Sequence, residues 1–237
     1  MILYGRNPVR EALRGSRAVK GIWATKRAQD AEEWLHGSEL RTVDGGEVER
    51  LCGSPEHQGV CAEVSDYRYA DPGGLLADED ALVICLDEVQ DPHNLGAVCR
   101  VAESAGAAGV VIPERRSAEI TPAAAKASAG AVEHLPVARV GNLANWLGEA
   151  KQAGAWVYGA EAGPQAAPYH TLDYSGRVVL VLGSEGRGLR PRVADSCDQL
   201  VALPQRGRVN SLNVSTAAAA LMYGILHLRE SGLDKAP

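Results

Sequence analysis

Continuous apolar runs alternate with segments of helical spacing along most of the chain. From residue 81 onward, runs of strand length occur at 81–86, 110–112, 156–159 and 178–182. A strand that is apolar on both faces is typical of a parallel sheet covered by helices on each side. The pattern therefore predicts an α/β fold with a mostly parallel sheet.

Helical patterns lie between and after these runs, at 94–106, 121–129, 142–152 and 214–229. The last of them places apolar residues on one stripe, namely Val214, Ala218, Leu221, Ile225 and Leu228. Such a stripe indicates a helix with one buried face. We expect it to pack on the sheet or on a second subunit.

The N-terminal part of the chain predicts a smaller α/β unit. Asn7 and Pro8 have the types favoured at the N-cap and first position of a helix, and Gly15 is typical of a helix end. Strand patterns follow at 19–24, 40–43 and 59–64, with helical patterns at 29–36 and 46–52.

A cluster of turn-forming residues separates the two units. Tyr-Ala-Asp-Pro-Gly-Gly occupies residues 69–74, and such a concentration of glycine, proline and aspartate is typical of a connecting segment. We therefore expect an N-terminal domain at 1–66, a linker at 67–79 and a larger domain at 80–237.

The composition is that of a folded globular protein. The 237 residues are 46% hydrophobic and 23% charged, which excludes disordered and fibrous classes. The five cysteines are odd in number and form no C-x-x-C pair, so we expect reduced thiols. The chain shows neither the ~18 apolar residues of a membrane span nor a signal peptide, so we expect a cytoplasmic protein without a membrane partner.

Positive charge is concentrated at the N-terminus. The net charge of −6 by itself argues against a nucleic-acid partner, but residues 1–27 carry +6 and the remainder −12. Arg10, Arg14 and Arg17 have a spacing that places them on one helix face, and Arg6 precedes them. We interpret these arginines as an RNA-binding face; the alternative is an ordinary solvated helix face.

Three polar segments follow predicted strands, which is where open α/β sheets bind their ligands. The first, at 86–97, leads into a helix that carries Arg100. The second, at 180–189, is a strand that ends in a glycine-rich turn. The third, at 203–215, is rich in polar and basic residues and leads into the last helix. We expect these segments to converge at one edge of the sheet.

Each segment also has an ordinary structural interpretation. Asn94 is suited to capping a helix, and Arg100 to a surface ion pair. The turn has the order G-x-x-G-x-G, which is neither the dinucleotide fingerprint nor the phosphate-binding loop. Ser211, Asn213 and Ser215 can all cap backbone N–H groups, although capping accounts for only one of them. The six histidines lack metal-ligand spacing, so no metal site is expected.

Together the three segments resemble the motifs of the SpoU family, the ribose 2′-O-methyltransferase branch of the SPOUT enzymes. The matching residues read D-P-H-N-L-G at 91–96 with Arg100, L-G-S-E-G-R-G-L at 182–189 and L-P-Q-R-G-R-V-N-S-L-N-V-S at 203–215. The resemblance covers about residues 81–230. Y-G-R-N-P-V-R-E-A-L at 4–13 and H-Q-G-V at 57–60 are similar to the substrate-binding domain often attached to this family.

The resemblance implies a trefoil knot in the larger domain, a homodimer, and S-adenosylmethionine as the methyl donor, with no metal. Carried over residue by residue, the family's cofactor contacts fall on Gly183, Leu203 and Leu212. Its positions for catalysis or RNA contact fall on Asn94, Arg100, Glu185, Ser211 and Asn213. Gln205 departs from the family, where an apolar residue is usual.

We therefore predict an S-adenosylmethionine-dependent RNA 2′-O-ribose methyltransferase. A guanosine in large-subunit ribosomal RNA is the expected substrate because the N-terminal domain resembles that of the ribosomal RNA enzymes, and transfer RNA is the alternative. The family proposal makes Arg100 the general base, but an arginine pKa above 12 suits it equally to clamping a phosphate. There are two competing classes of function. The first is a noncatalytic RNA-binding assembly factor, which the intact motif residues oppose. The second is a nucleotide-dependent oxidoreductase, which the missing dinucleotide fingerprint opposes.

Overall fold

The computed structural model describes residues 1–184, 186–208 and 211–233. Two sheets carry the fold, a small one near the N-terminus and a large one after it. In chain order the elements are β1 (Ile2–Tyr4), α1 (Arg6–Arg14), β2 (Val19–Ala24), α2 (Lys26–Ala31), β3 (Arg41–Thr42), α3 (Gly45–Cys52), β4 (Val60–Val64), β5 (Leu82–Asp87), α4 (Pro92–Ser104), β6 (Gly109–Pro113), α5 (Pro122–Ala127), β7 (Val137–Val140), α6 (Leu143–Gln152), β8 (Trp156–Ala160), β9 (Ala167–Pro168), β10 (Val178–Gly183), α7 (Pro191–Ala194), β11 (Gln199–Ala202) and α8 (Val214–Leu233).

The small sheet has the strand order β1-β4-β2-β3. Strands β1 and β2 both run antiparallel to β4, and β3 runs parallel to β2. Leu3, Val9 and Val60 are fully buried between this sheet and α1. The predicted α/β unit at the N-terminus is thus present.

Two helix boundaries in this unit differ from the sequence-based expectation. Helix α1 begins at Arg6, so its N-cap is Gly5 and not Asn7. Gly5 has φ 92°, a conformation that glycine adopts without steric cost. The helix predicted at 29–36 is two pieces, α2 and a 3-10 turn at Glu33–Leu35, because the backbone at Glu32 is extended.

The large sheet has the strand order β7-β6-β5-β10-β8-β11-β9, and every adjacent pair is parallel. This confirms the predicted parallel sheet. Strands β5 and β6 are buried along their whole length, as expected for a sheet with helices on both faces. Helices α4, α5 and α8 cover one face, and α6 and α7 cover the other.

Helix α8 packs inside the chain, as the apolar stripe predicted. Ala218 and Ile225 are fully buried, and Leu221 is nearly so, against α4 and the sheet. The trefoil knot that the resemblance implies stays a prediction. All five cysteines are free thiols. Within the described ranges, no helix is both long and apolar enough to cross a bilayer.

The predicted linker at 67–79 packs closely on the large-sheet part of the chain. The Tyr67 hydroxyl donates to the carbonyl of Leu135 at 3.4 Å, and the N–H of Ala70 donates to the carbonyl of Val137 at 2.8 Å. Leu75 and Leu76 are buried in a 3-10 turn at Gly74–Leu76. The segment therefore contributes apolar side chains to the core in addition to connecting the two sheets.

Candidate active site

A cleft of about 350 Å³ opens at the carboxyl ends of β8, β10 and β11. This is the edge at which parallel α/β sheets bind ligands, because the loops that follow the strands diverge there. Its walls come from three stretches of chain and from Leu221 of α8. The stretches are 160–162, then 182–184 with 186–188, and then 201–205 with 211–217. The second and third of the polar segments singled out in the sequence therefore meet in one cavity.

The turn after β10 forms one wall of the cleft and folds back on the strand. The N–H of Gly188 donates to the carbonyl of Ser184 at 3.0 Å, and Gly186 and Gly188 have φ of 76° and 67°. A Cβ at Gly183 would overlap the carbonyl group of Gly188 and lie 2.5 Å from the nitrogen of Leu189. Gly183 is therefore required for the turn itself, whose backbone faces the cleft. Glu185 lies outside the described residues.

A buried ion pair fixes the far end of this turn. Asp87, at the end of β5, is fully buried. Its carboxylate accepts from the backbone N–H of Arg190 at 2.8 Å and from the guanidinium at 2.6 and 2.7 Å. Charge-assisted pairs with several hydrogen bonds are among the stronger polar contacts in proteins. Asp87 and Arg190 thus tie the loop after β10 to the neighbouring strand.

Leu203 and Leu212 both line the cleft from the third segment, together with the side chains of Gln205 and Ser211. Leu203 also packs against the core, whereas Leu212 is 47% exposed. An apolar side chain with that much exposure at a cavity mouth provides surface for a ligand's flat apolar part. Gln205 is exposed, so its polar group does not disturb the core.

Asn213 connects the cleft to the first polar segment. Its side-chain oxygen accepts from the N–H of Ser215 at 2.9 Å and of Thr216 at 3.4 Å, the geometry of a cap at the start of α8. Its amide nitrogen donates to the side-chain oxygen of Asn94 on α4 at 3.0 Å. The carboxamide of Asn213 therefore holds the N-terminal ends of α4 and α8 together.

Neither ordinary interpretation of the first segment describes Asn94 and Arg100. Asp91 is the N-cap of α4, with its carboxylate accepting from the N–H of His93 at 2.9 Å, so Asn94 lies inside the helix. Arg100 is exposed on the same helix and forms no ion pair with any residue that the structure describes. Its guanidinium is available to a ligand.

The N-terminal arginines differ in their acidic partners and in their exposure. Arg6 pairs with Glu32 at 2.9 Å, whereas Arg10 and Arg14 both contact Glu11, at 3.0 and 3.3 Å. Of these three, Arg14 is the most exposed, at 62% of its side chain.

Arg17 corrects the prediction of a continuous basic face. It lies beyond the end of α1, and its side chain is only 8% exposed. Its guanidinium stands 3.4 Å from the fully buried carboxylate of Glu133, and it stacks over the ring of Tyr67. Burial raises the pKa of Glu133 despite the nearby Arg17. Arg17 therefore belongs to the contact between the two sheets' domains and is withdrawn from the RNA-binding set.

The same contact includes Glu11, which accepts from the imidazole of His134 at 3.0 Å. Burial works to raise the pKa of Glu11, but hydrogen bonds from His134 and Arg10 outweigh it and hold that pKa below its ordinary value. A Cβ at Gly130 would lie 2.7 Å from the Cβ of Glu11, so the chain approaches closely here. One side of helix α1 therefore packs against the large-sheet domain.

Sequence reasoning missed one polar group of the cleft, Glu161. It follows β8 directly, is half-buried, and its carboxylate faces Gly188 across the cavity. Its position after a buried strand was the available signal, because polar residues at strand ends gather at the binding edge. Among the described residues, no group of three or more His, Cys, Asp or Glu side chains is placed to hold a metal ion.

Comparison with known proteins covers both parts of the chain. The family model described as SpoU rRNA Methylase matches residues 81–223, and the model described as RNA 2′-O ribose methyltransferase substrate binding matches residues 2–70. A similar curated protein is the putative TrmH family tRNA/rRNA methyltransferase of Staphylococcus haemolyticus. It is 38% identical over 248 residues, which span 100% of this chain and 99% of the relative.

Solved structures match the same length of chain. The SpoU methyltransferase AviRb of Streptomyces viridochromogenes superposes with a TM-score of 0.83 over 98% of this chain and 90% of its own, at 24% identity, and so shows the fold. The S-adenosylmethionine-bound rRNA methyltransferase of Sinorhizobium meliloti superposes with a TM-score of 0.80, at 25% identity, over 95% of this chain and 86% of its own.

Proposed function

This chain belongs to the SpoU rRNA methylase family, and on that premise we propose that it transfers the methyl group of S-adenosylmethionine to the ribose 2′-oxygen of an RNA nucleotide. The observation that carries the proposal is the convergence of the three polar segments. The second and third segments form the cleft, and the Asn94–Asn213 hydrogen bond brings the first segment to its rim. A donor in the cleft and an acceptor beside α4 would then be neighbours.

The cleft fits S-adenosylmethionine in size and chemistry. Its volume of about 350 Å³ lies within the range of small-molecule sites, and its lining combines apolar walls with a few polar groups. Leu203 and Leu212 offer apolar faces for an adenine ring, and the turn after Gly183 presents its backbone. Glu161 is suited to accept hydrogen bonds from ribose hydroxyls. S-adenosylmethionine, when bound, supplies a methyl group activated by a cationic sulfur.

The residues around α4 are suited to holding the acceptor ribose. Methyl transfer to an oxygen is an in-line displacement in which the C–S bond breaks as the C–O bond forms, so alignment of the acceptor contributes most of the acceleration. We assign Asn94, Asn213 and Ser211 to positioning the ribose. Glu185 is assigned to the same site on the resemblance alone. The 2′-hydroxyl proton must also leave.

Arg100 has two candidate roles at that step. Its exposed guanidinium forms no ion pair with the described residues and is suited to clamp a phosphate beside the target ribose through two parallel hydrogen bonds. The family proposal instead has it accept the 2′-hydroxyl proton. Because deprotonating an arginine is unfavourable near neutral pH, we favour the clamp, with the 2′-hydroxyl proton passing by way of an oxygen of the clamped phosphate to water. Both roles require the planar fork of a guanidinium.

We propose a guanosine of large-subunit ribosomal RNA as the substrate. The match of residues 2–70 to a substrate-binding family and the full-length superposition on an rRNA methyltransferase support this choice. The curated relative's name includes transfer RNA, which stays the alternative. Arg6, Arg10 and Arg14 remain candidates for RNA contact on the N-terminal domain.

The proposed assembly is a homodimer in the cytoplasm, where these RNA substrates are found. The domain division at 1–66, 67–79 and 80–237 is part of this proposal, with RNA capture in the first domain and methyl transfer in the last. The homodimer is proposed on the resemblance to the family.

The proposal is tested by incubating the protein with tritium-labelled S-adenosylmethionine and unmodified transcripts of large-subunit ribosomal RNA or transfer RNA. We expect label in the ribosomal RNA. Label in transfer RNA alone would favour the alternative substrate. Binding of S-adenosylmethionine without transfer to either RNA, or to RNA in ribosomal assembly intermediates, would contradict the proposed enzyme and favour a noncatalytic RNA-binding module.

A further inference from the structure

A second cavity, of about 550 Å³, lies at the carboxyl ends of β6 and β7 on the face covered by α6 and α7. Four arginines line it, namely Arg115, Arg116, Arg190 and Arg192. Among the described residues that line it, none is an aspartate or glutamate. We call this cavity the arginine groove. It is a concentration of positive charge on a chain whose net charge is −6.

Two of these arginines have acidic partners and two do not. Arg190 is paired with Asp87 and with Glu88, and Arg116 stands 3.5 Å from Glu88 with 75% of its side chain exposed. Arg115 and Arg192 are exposed, and neither forms an ion pair within the described part of the chain. The groove therefore holds two arginines that pair with no acidic side chain among the described residues.

The backbone around the groove adds to this charge. The N-terminus of α6 lines it, and the first N–H groups of a helix carry partial positive charge without partners inside the helix. Glu88 and Arg116 both adopt left-handed conformations, with φ of 57° and 58°. Such conformations in residues other than glycine are uncommon and cluster at functional sites. Here they hold an ion pair at the groove's edge.

The groove and the cleft share one edge of the sheet. The loop after β10 lines the cleft up to Gly188 and reaches the groove two residues later, at Arg190. Any polymer that placed a nucleotide beside the cleft would have its neighbouring backbone close to this loop. Guanidinium groups bind phosphates through paired hydrogen bonds, and several arginines in one groove match the repeating phosphates of a nucleic acid.

We propose that the arginine groove binds backbone phosphates of the RNA whose target nucleotide lies at the cleft. This inference rests on the proposed function and extends it by naming a second contact region, outside the N-terminal domain. Arg115 and Arg192 supply the main contacts. Arg190, held by Asp87, connects the groove to the turn that walls the cleft.

The test compares the double variant Arg115→Gln/Arg192→Gln with a control that also loses two exposed positive charges, Arg68→Gln/Lys151→Gln. Arg68 lies in the linker, and Lys151 lies near the C-terminal end of α6, whereas the N-terminal end of α6 lines the groove. Affinity for transcribed large-subunit ribosomal RNA is measured from 50 to 300 mM salt. Each lost phosphate contact lowers the slope of log affinity against log salt by roughly 0.7 to 0.9.

We expect the groove variant to bind RNA about 10-fold more weakly near 150 mM salt and its slope to fall by roughly 1.5, with unchanged affinity for S-adenosylmethionine. The charge-retaining variant Arg115→Lys/Arg192→Lys should recover most of the slope. The control should change neither quantity.

Unchanged RNA affinity and an unchanged salt slope in the groove variant would overturn the proposal. An acidic protein segment would then be the remaining candidate partner of the groove. Equal losses in the groove and control variants would also overturn it, since charge alone would then explain the effect. Weaker RNA binding by the groove variant, combined with no methyl transfer by the unaltered protein, would support the groove while contradicting the proposed function.

Discussion

At the residue scale, Asn213 combines a structural and a functional candidate role in one carboxamide. The oxygen caps α8, and the nitrogen donates to Asn94. A sequence pattern cannot separate these roles, because Ser211, Asn213 and Ser215 all have capping side chains. In the structure Ser215 donates to Asn213 at 2.6 Å and Ser211 lines the cleft.

Substitution separates the two roles of Asn213. Asn213→Asp keeps the oxygen acceptor at the helix start, so we expect the free energy of unfolding to stay within about 0.5 kcal/mol, while loss of the donor to Asn94 lowers methyl transfer at least about 10-fold. Asn213→Ala should lose about 1 kcal/mol as well. Urea unfolding and initial rates measure the two effects. Full activity in the aspartate variant would reduce Asn213 to a helix cap.

Arg100 gives a second prediction at this scale. Arg100→Lys keeps the charge but loses the guanidinium fork, so we expect kcat to fall about 100-fold with unchanged affinity for S-adenosylmethionine. Arg50→Lys, on an exposed face of α3, is the control and should leave kcat unchanged. Turnover at the original rate in the Arg100 variant would exclude both the phosphate clamp and the general base.

The candidate site was partly predictable from residue types alone. The polar segments after strands indicated the edge of the sheet at which the cleft opens, and Leu203, Leu212 and Gly183 line that cleft. The sequence did not show why a glycine is required at 183. A Cβ there would overlap the carbonyl group of Gly188, and this contact exists only once the turn has folded. Arg17 was misjudged because its partner Glu133 is more than a hundred residues away in sequence.

At the scale of elements, the packing of α4 on α5 depends on Gly96. Gly96 is buried in the middle of α4, and a Cβ there would overlap the carbonyl oxygen of Ala124 and lie 2.6 Å from the Cβ of Ala127. The two helices can approach this closely only because a side chain is absent. Since α4 also carries Asn94 and Arg100, this contact sets the position of both.

Two helical glycines provide a matched comparison. Gly96→Ala should lower the free energy of unfolding by about 2 kcal/mol, since backbone of α5 must move to admit the methyl group. Gly148→Ala on α6, where an added Cβ meets no atom within 4 Å, should raise it by up to about 1 kcal/mol through helix propensity. Chemical denaturation measures both. Equal effects at the two positions would contradict the close packing of α4 on α5.

Long apolar elements were predicted well and short ones poorly. Strands β5, β6, β8 and β10 and the helices between them lie where continuous apolar runs and helical spacing indicated. Four strands were missed, because their segments are too short or too polar for a periodic signal: β1, β7, β11 and the two-residue β9. Strand β1 is held by pairing with β4, β7 by pairing with β6, and β11 by pairing with β8 and β9.

At the scale of the whole molecule, charged groups buried between the two sheets' domains set their relative position. Arg17 and Glu133 face each other there, and Glu11 receives His134 and two arginines. Breaking a buried pair by removing one partner leaves an uncompensated charge, which costs more than an exposed pair contributes. The orientation of the N-terminal domain over the large sheet is therefore sensitive to single substitutions.

The loss of unfolding free energy caused by Arg17→Gln should depend on pH. Without Arg17, the already raised pKa of Glu133 rises further above its ordinary value of 4.5. Between pH 4.5 and that raised pKa the native state then binds more protons than the unfolded chain. The free energy of unfolding therefore falls as pH rises through this range. We expect a loss of about 3 kcal/mol at pH 7.5 and a smaller loss at pH 5. Urea unfolding of this variant and of the exposed Arg14→Gln control, which should lose under about 1 kcal/mol, measures it. A loss that is equal at both pH values would contradict the buried pair.

The central claim is that this fold transfers a methyl group to a ribose oxygen. It is tested most directly by digesting large-subunit ribosomal RNA to nucleosides after incubation with the protein and S-adenosylmethionine, and identifying the methylated nucleoside by mass spectrometry. The account predicts 2′-O-methylguanosine, formed about 100-fold more slowly when the Arg100→Lys variant replaces the protein. A methyl group found on a base, with unmodified ribose throughout, would contradict it.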